Sequence, residues 1–219
     1  MHFSSRIHAG RLLAKQIEPI YRYEDCVVLA LNSGGVVVGA QIAQQIHCAI
    51  LMLPIKEIFL PREPISVGSI AFNGNFVVNS DVSATDSREM IDEFRGVIEE
   101  EKITKIREMT SDTGRVELTN KSMLEHRNVI LVSDSIKGTT LLDMAYEYLK
   151  PIKISSLIVA TPISDVKAVD WIHVMADKIF CLWVSDDFDS DLNRYFDQNK
   201  VPSQKRINSI IQNIILNWK

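Results

Sequence analysis

The sequence predicts an α/β protein with a mainly parallel sheet flanked by helices, a small hairpin or lid region and a C-terminal helix. Three observations carry this reading. Short apolar runs at Val27–Leu31, Ala49–Ile55, Val129–Val132, Ser156–Ala160 and Ile179–Val184 have the length and composition of buried strands. Helical stretches separate them, the alternation that builds parallel sheets. Neither a 20–50-residue repeat nor a Gly/Ser- or Pro-rich linker divides the chain, so residues 1–219 are taken as one domain.

The elements follow in order. Ile7, Leu12, Leu13, Ile17 and Ile20 space a helix over 4–22 that stops near Pro19 to Tyr23. Val27–Leu31 is a strand, and a helix over Val36–His47 follows a Ser-Gly-Gly turn. After the strand Ala49–Ile55, a Pro-containing loop leads to two short runs, Ser69–Phe72 and Phe76–Asn79. Asn73-Gly74-Asn75 between them signals a hairpin, and 60–83 is taken as the lid region. Residues 84–110 form a charged helix or a pair of them, with Glu101 and Lys105 spaced for mutual support. Ile207, Ile210, Ile211, Ile214 and Ile215 make 203–218 an amphipathic helix, closing a C-terminal appendage over 185–219.

Composition narrows the functions. With 24 Lys plus Arg against 28 Asp plus Glu, the formal charge is −4, which offers no basic footprint for nucleic acid or an anionic membrane. Cys26, Cys48 and Cys181 are odd in number and sit in apolar segments, so they read as core residues in a reducing compartment. The N-terminus lacks a secretory h-region, and the apolar stretch Cys26–Ala40 is interrupted by Asn32, Ser33, Gly34 and Gly35. The expected location is the cytoplasm.

In parallel sheets, ligands bind at the carboxyl ends of strands, so the segments after Leu31, Ile55 and Val132 matter most. The run from Val129 to Ala145 places Asp134 at a strand end, then Ser135-Ile136-Lys137-Gly138-Thr139-Thr140, then a helix. Backbone amides at a helix start, three hydroxyls and a lysine suit a phosphate cradle. An ordinary turn with Thr139 as helix cap is the alternative. Ser33-Gly34-Gly35 allow close backbone approach to a ligand, or serve as a plain strand-to-helix turn. Lys56 can neutralise a phosphate or sit solvated at an edge. His8, His47, His126 and His173 lack metal-ligand spacing and read as structural or surface residues. Trp183 and Phe188 suit a hydrophobic cluster beneath the C-terminal helix, or a surface on which a base stacks. Asp186, Asp187, Asp189 and Asp191 lack a Ca²⁺-loop pattern.

These segments, in this order, resemble the type I phosphoribosyltransferases, closest to a bacterial branch of undefined substrate. Ala9-Gly10-Arg11-Leu12-Leu13-Ala14 matches an opening "AGRLLA" helix, and Leu31-Asn32-Ser33-Gly34-Gly35 a "LPRGG" pyrophosphate loop. Ile55-Lys56 matches a strand ending in Arg-Lys, and Pro64–Ser69 echoes an "NPE…AIGA" segment. Val129–Thr140 matches the "VILVDDGIATGAT" motif for phosphoribosyl pyrophosphate (PRPP). The resemblance spans roughly residues 3–200.

It implies transfer of a phosphoribosyl group from PRPP to a nucleophile, with release of pyrophosphate and with Mg²⁺ as cofactor. Asp134 and Lys56 are then the catalytic candidates. Ser33, Gly34, Gly35, Ser135, Ile136, Lys137, Gly138, Thr139 and Thr140 bind substrate, and Asp134 reaches Mg²⁺ through water or PRPP. A small phosphorylated ligand, a homodimer and a mobile lid near Ser69–Asn79 are implied as well. Several positions depart from the pattern: Ser133 replaces one of two acids, Ser33 and Ile55 replace arginines, and the phosphate loop is one residue shorter. Charge-assisted contacts to phosphate are worth ~1.5–3 kcal/mol each. The departures therefore also allow an impaired member that binds a nucleotide or phosphosugar in a regulatory or scaffold role.

Overall fold

In a computed structural model, residues 2–61, 66–80, 82–113, 121–189 and 191–216 are described. The elements in chain order are β1 (Phe3–Ser5), α1 (Arg6–Tyr21), β2 (Cys26–Ala30), α2 (Ser33–Ile46), β3 (Ala49–Met52), β4 (Ile55–Phe59), β5 (Ser66–Ala71), β6 (Phe76–Val78), α3 (Ala84–Glu93), α4 (Arg95–Thr113), β7 (Asn128–Val132), α5 (Thr140–Leu149), β8 (Ser156–Asp165), α6 (Val166–Met175), β9 (Lys178–Ser185), β10 (Phe196–Gln198) and α7 (Gln204–Leu216). Short 3-10 turns precede β7 and β10.

Five strands form a parallel sheet in the order β3-β2-β7-β8-β9. Side-chain alternation along each strand feeds two cores. Val28, Ala30, Ile130, Val132 and Ile158 face α1, α2 and α7 through Leu13, Ile17, Ile42, Ile46 and Ile211. Val27, Leu29, Val129, Leu131 and Val159 face the other side, against Leu142, Met144, Leu149 and Ile172 of α5 and α6. Burial on both faces is why these strands appear in the sequence as unbroken apolar runs. After β2 the chain moves outward to β3, and it returns to the other side of β2 only at β7. The adjacent carboxyl ends of β2 and β7 thus flank the point where strand order reverses, the crevice where such sheets take ligands.

A second sheet, β4-β5-β6, is antiparallel and lies beside this crevice. Gly74, at φ 86°, turns the β5–β6 hairpin as Asn-Gly foretold. α4 packs on this sheet through Ile106 and Met109 against Ile58 and Ile70. The expected strand Ala49–Ile55 is in fact two, because Pro54 ends the parallel ladder and Ile55 pairs with Ala71 in the antiparallel sheet. The 84–110 stretch is two helices that break at Phe94.

The ends of the chain meet in a pairing that periodicity did not suggest. β1 and β10 run parallel, with Phe3 opposite Phe196 and Ser5 opposite Gln198. Phe3, Phe196, Tyr195 and Ile163 bury together, with Trp183 and Phe188 packed against them. The aromatic cluster therefore lies under β1 and β10, not beneath the C-terminal helix, which covers α2 and β3 instead. Among the described residues no helix is long and apolar enough to cross a membrane.

Candidate functional site

Asp134 leaves β7 directly into the crevice and is 4% exposed. Its Oδ2 accepts from Arg6 Nε at 2.6 Å, in an ion pair with both side chains buried. Arg6 is the first residue of α1, immediately after β1, and Asn199 follows β10. The β1–β10 pairing therefore brings them together. Arg6 Nη1 donates to the Asn199 carbonyl at 2.9 Å and Nη2 to Asn199 Oδ1 at 2.7 Å. The guanidinium also stands 4.9 Å from the Phe196 ring centre. Arg6 is not among the residues that the sequence motifs single out. The available signal is its position on the buried stripe Arg6, Ala9, Leu13, Ile17 of α1, where a charge demands a partner.

Ser133, where a second acid would stand, is fully buried. Its hydroxyl accepts from Asn32 Nδ2 at 2.9 Å and donates to the Ser135 carbonyl at 2.6 Å. Asn32 is the N-cap of α2, with its side-chain oxygen accepting from the Gly35 amide. Ser33, Gly34 and Gly35 are therefore the first helical turn of α2, and the helix begins three residues earlier than Val36. Gly34 lies against the Asp134 carboxylate, and Gly35 against the Val132 carbonyl.

The segment Ser135–Thr140 zips onto β8. Pro162 has no N–H, and β8 has passed the end of its pairing with β7 at Ala160, which leaves that edge open. Ile136 fills it, donating to the Ile163 carbonyl at 3.0 Å and accepting from the Asp165 amide at 3.1 Å. The Ile136 side chain is buried. Gly138, at φ 62°, donates its amide to Asp165 Oδ2 at 2.8 Å, while Oδ1 of the same carboxylate caps α6 at Ala168. Two of the amides expected to cradle phosphate are thus engaged within the protein. Thr139 stands at the N-cap position of α5, but its side chain makes no capping bond; its hydroxyl lies 2.9 Å from that of Ser80. Ser80 in turn donates to Asp143, and Ser69 donates to the Thr140 carbonyl. The hairpin expected as a mobile lid is tied to α5 by these hydroxyls. Pro64 and Ile65 of the "NPE"-like segment lie outside the described residues; Ser66–Ser69 belong to β5.

Lys56, on β4, donates to Glu108 Oε2 of α4 at 2.6 Å. The ammonium holds the Glu108 carboxyl below the usual carboxylate range. Lys137 is exposed, and its charge is felt by Glu57 of β4. A cavity of roughly 210 Å³ opens among Leu31, Asn32, Ser33, Met52, Lys56 and Gln204. Lys56 and Ser33 meet there; Asp134 and the Ser135–Thr140 segment do not line it. His8, His47, His126 and His173 are all exposed.

The residues present do not fit a Mg²⁺ site at the β7 end. The one carboxylate is buried in an ion pair, and the neighbouring hydroxyl is spanned by two protein groups. Among the described residues, no three His, Cys, Asp or Glu side chains cluster as metal ligands. The cysteines offer no nucleophile either. Burial raises the thiols of Cys26 and Cys181 to about 11 and that of Cys48 to about 12. Alkylation of the native chain by iodoacetamide at pH 8 is accordingly expected to be slow at all three, and fast after unfolding. Mass spectrometry checks this, and one rapidly labelled thiol in the native chain would contradict it.

The parallel sheet, the antiparallel hairpin sheet beside it and the closing helix define an α/β fold of the kind that the resemblance in sequence implied. No family model matches the sequence. The crystal structure of TT1426 from Thermus thermophilus is similar over 97% of this chain and 99% of that one, at 22% identity and TM-score 0.73. The AQ2163 protein from Aquifex aeolicus is similar over 83% of this chain and 74% of that one, at 10% identity and TM-score 0.51. A purine phosphoribosyltransferase from Pyrococcus horikoshii gives 11% identity and TM-score 0.46 over 89% of this chain and 88% of that one. At these identities the likeness to TT1426 and AQ2163 is one of fold.

Proposed function

We propose that this chain binds a small phosphorylated ribose compound, PRPP or a nucleotide, in the crevice between β2 and β7, and that it does so without useful phosphoribosyl transfer. The observation that carries this reading is the buried Arg6–Asp134 pair. Transfer at C1 passes through an oxocarbenium-like transition state while charge builds on departing pyrophosphate, so catalysis rests on donors aimed at that charge. Ser33 and Ile55 supply no cation at the corresponding positions, and Lys56 shares its charge with Glu108. Binding still has support in the crevice at the strand-order reversal, and in the cavity where Ser33 and Lys56 meet.

A second reading, Mg²⁺-dependent transfer from PRPP to an unidentified nucleophile, is favoured by one observation. The segments resembling the family's motifs follow the adjacent strands β2 and β7 and open β4 beside them. Calorimetry with PRPP, followed by a pyrophosphate-release assay over a panel of bases and amines, separates the two. Heat without pyrophosphate is the result expected. Steady release with any acceptor would establish the transferase, and no heat at millimolar PRPP would remove both. The homodimer implied by the resemblance is checked by light scattering on the same sample.

Glu108→Gln tests the role of Lys56 in binding. It removes the counter-charge beside the ammonium, so affinity for PRPP is expected to rise about fivefold at low salt and to lose that gain at high salt. Unchanged affinity would place Lys56 outside the ligand's reach.

A further inference from the structure

We infer that Arg6 takes the place of a divalent cation at this strand end, so that the crevice holds its ligand without Mg²⁺. The inference deepens the binding reading above, but its metal arm needs no ligand. A carboxylate at the end of a buried parallel strand needs a counter-charge. Where a metal supplies that charge, the carboxylate must stay open to water or to a bound ligand. Here it is 4% exposed and already carries a guanidinium at 2.6 Å.

The guanidinium is itself fixed. Two of its nitrogens hold both oxygens of Asn199, and its face rests on Phe196. These partners come from β10 and the residue after it, so Arg6 is positioned by the pairing of the chain's two ends and not by any ligand. The Gly34 backbone also packs on this carboxylate, nearest the Oδ2 that accepts from Arg6, and leaves no room there for a hydrated ion. The adjoining Ser133 hydroxyl is fully buried, its proton given to the Ser135 carbonyl and its oxygen already accepting from Asn32, so it does not turn outward to metal-bound water. A dication beside this assembly would also meet the positive guanidinium at close range. The permanent cation and the absent second acid belong together: one carboxylate matches one guanidinium, and a pair of acids would leave a net negative charge buried.

Two measurements on the full chain test this. The first is Mn²⁺ binding followed by electron paramagnetic resonance, on the wild type and on Asp134→Asn. Equal free-Mn²⁺ signals for the two proteins are expected, and Mn²⁺ retained by the wild type but released by Asp134→Asn would overturn the inference. Where Asp134→Asn alone fails to fold, the double variant Arg6→Met/Asp134→Asn, which removes both charges, serves as the comparison. The second is calorimetry with PRPP in excess EDTA and in excess Mg²⁺. Dissociation constants within about twofold of each other are expected. A weakening in EDTA of about tenfold or more, the effect of one lost charge-assisted contact, would overturn the inference and leave the binding reading intact. Absence of heat in both buffers would remove the binding reading and with it the ligand half of the inference, and the Mn²⁺ comparison would then decide the metal half.

Discussion

Arg6→Met is expected to destabilise the chain by about 3–5 kcal/mol, because it strands the Asp134 carboxylate in a buried place with no counter-charge. For a chain of this size that corresponds to a fall in Tm of roughly 6–20 °C. Two terms contribute. The carboxylate loses its ion pair, and Asn199 loses two hydrogen bonds that join the residue after β10 to the start of α1. A cycle separates them. Adding Asp134→Leu to Arg6→Met removes the orphaned charge and should recover most of the loss, since apolar groups of similar volume often replace a buried pair at little cost. The deficit that remains belongs to Asn199. Differential scanning calorimetry of the four proteins measures this directly. If Arg6→Met lowers Tm by no more than an exposed arginine would, the pair does not hold the strand end closed. The reading of the crevice as a metal-free site would then lose its main support.

This ion pair also marks where the sequence stops being informative. Strands buried on both faces announce themselves, because every residue from Val27 to Leu31 and from Val129 to Val132 must be apolar whichever way it points. The hairpin is legible for a different reason, as Gly74 needs a positive φ that Asn-Gly sequences favour. β1 and β10 leave no such trace. Three residues each cannot show a period, and what stabilises them is a partner almost two hundred positions away. Arg6 is invisible for the same reason, since its three acceptors lie on Asp134 and Asn199.

The candidate site is legible as a set of segments and not as a set of free groups. Ser33, Lys56, Asp134 and Ser135–Thr140 stand out for chemistry that a strand end or a helix start can offer. Whether that chemistry remains available depends on neighbours the local sequence does not name. Asp165 takes the Gly138 amide, the edge of β8 takes Ile136, and Glu108 takes Lys56. The start of α2 illustrates the point. Ser33-Gly34-Gly35 reads as a turn ahead of the helix, but Asn32 caps the helix before it. The glycines are required there by what presses against them, not by any positive φ.

Gly34→Ala is the second large effect expected. A methyl group at this position would lie 1.9 Å from Asp134 Oδ2 and 2.2 Å from its Cγ, far inside van der Waals contact. An exposed side chain could swing away at little cost. Asp134 cannot, because Arg6 holds it and Asn199 and Phe196 hold Arg6. Either the ion pair breaks or the first turn of α2 moves off the sheet, and overpacking of this kind costs ~1–3 kcal/mol and occasionally more. The two outcomes are distinguishable. If the pair breaks, Gly34→Ala and Arg6→Met should fail to add, since each has already removed what the other disturbs. If the helix moves instead, the losses should sum, and PRPP binding should weaken along with Ser33 and the cavity it lines. Gly35→Ala is the control, because its methyl group would strike the Val132 carbonyl at 2.6 Å, and main chain cannot rotate aside. That variant should therefore lose stability whether or not Arg6 is present. A Gly34→Ala protein as stable as the wild type would mean that the Asp134 carboxylate has room to turn, and room to turn is also room for a ligand hydroxyl.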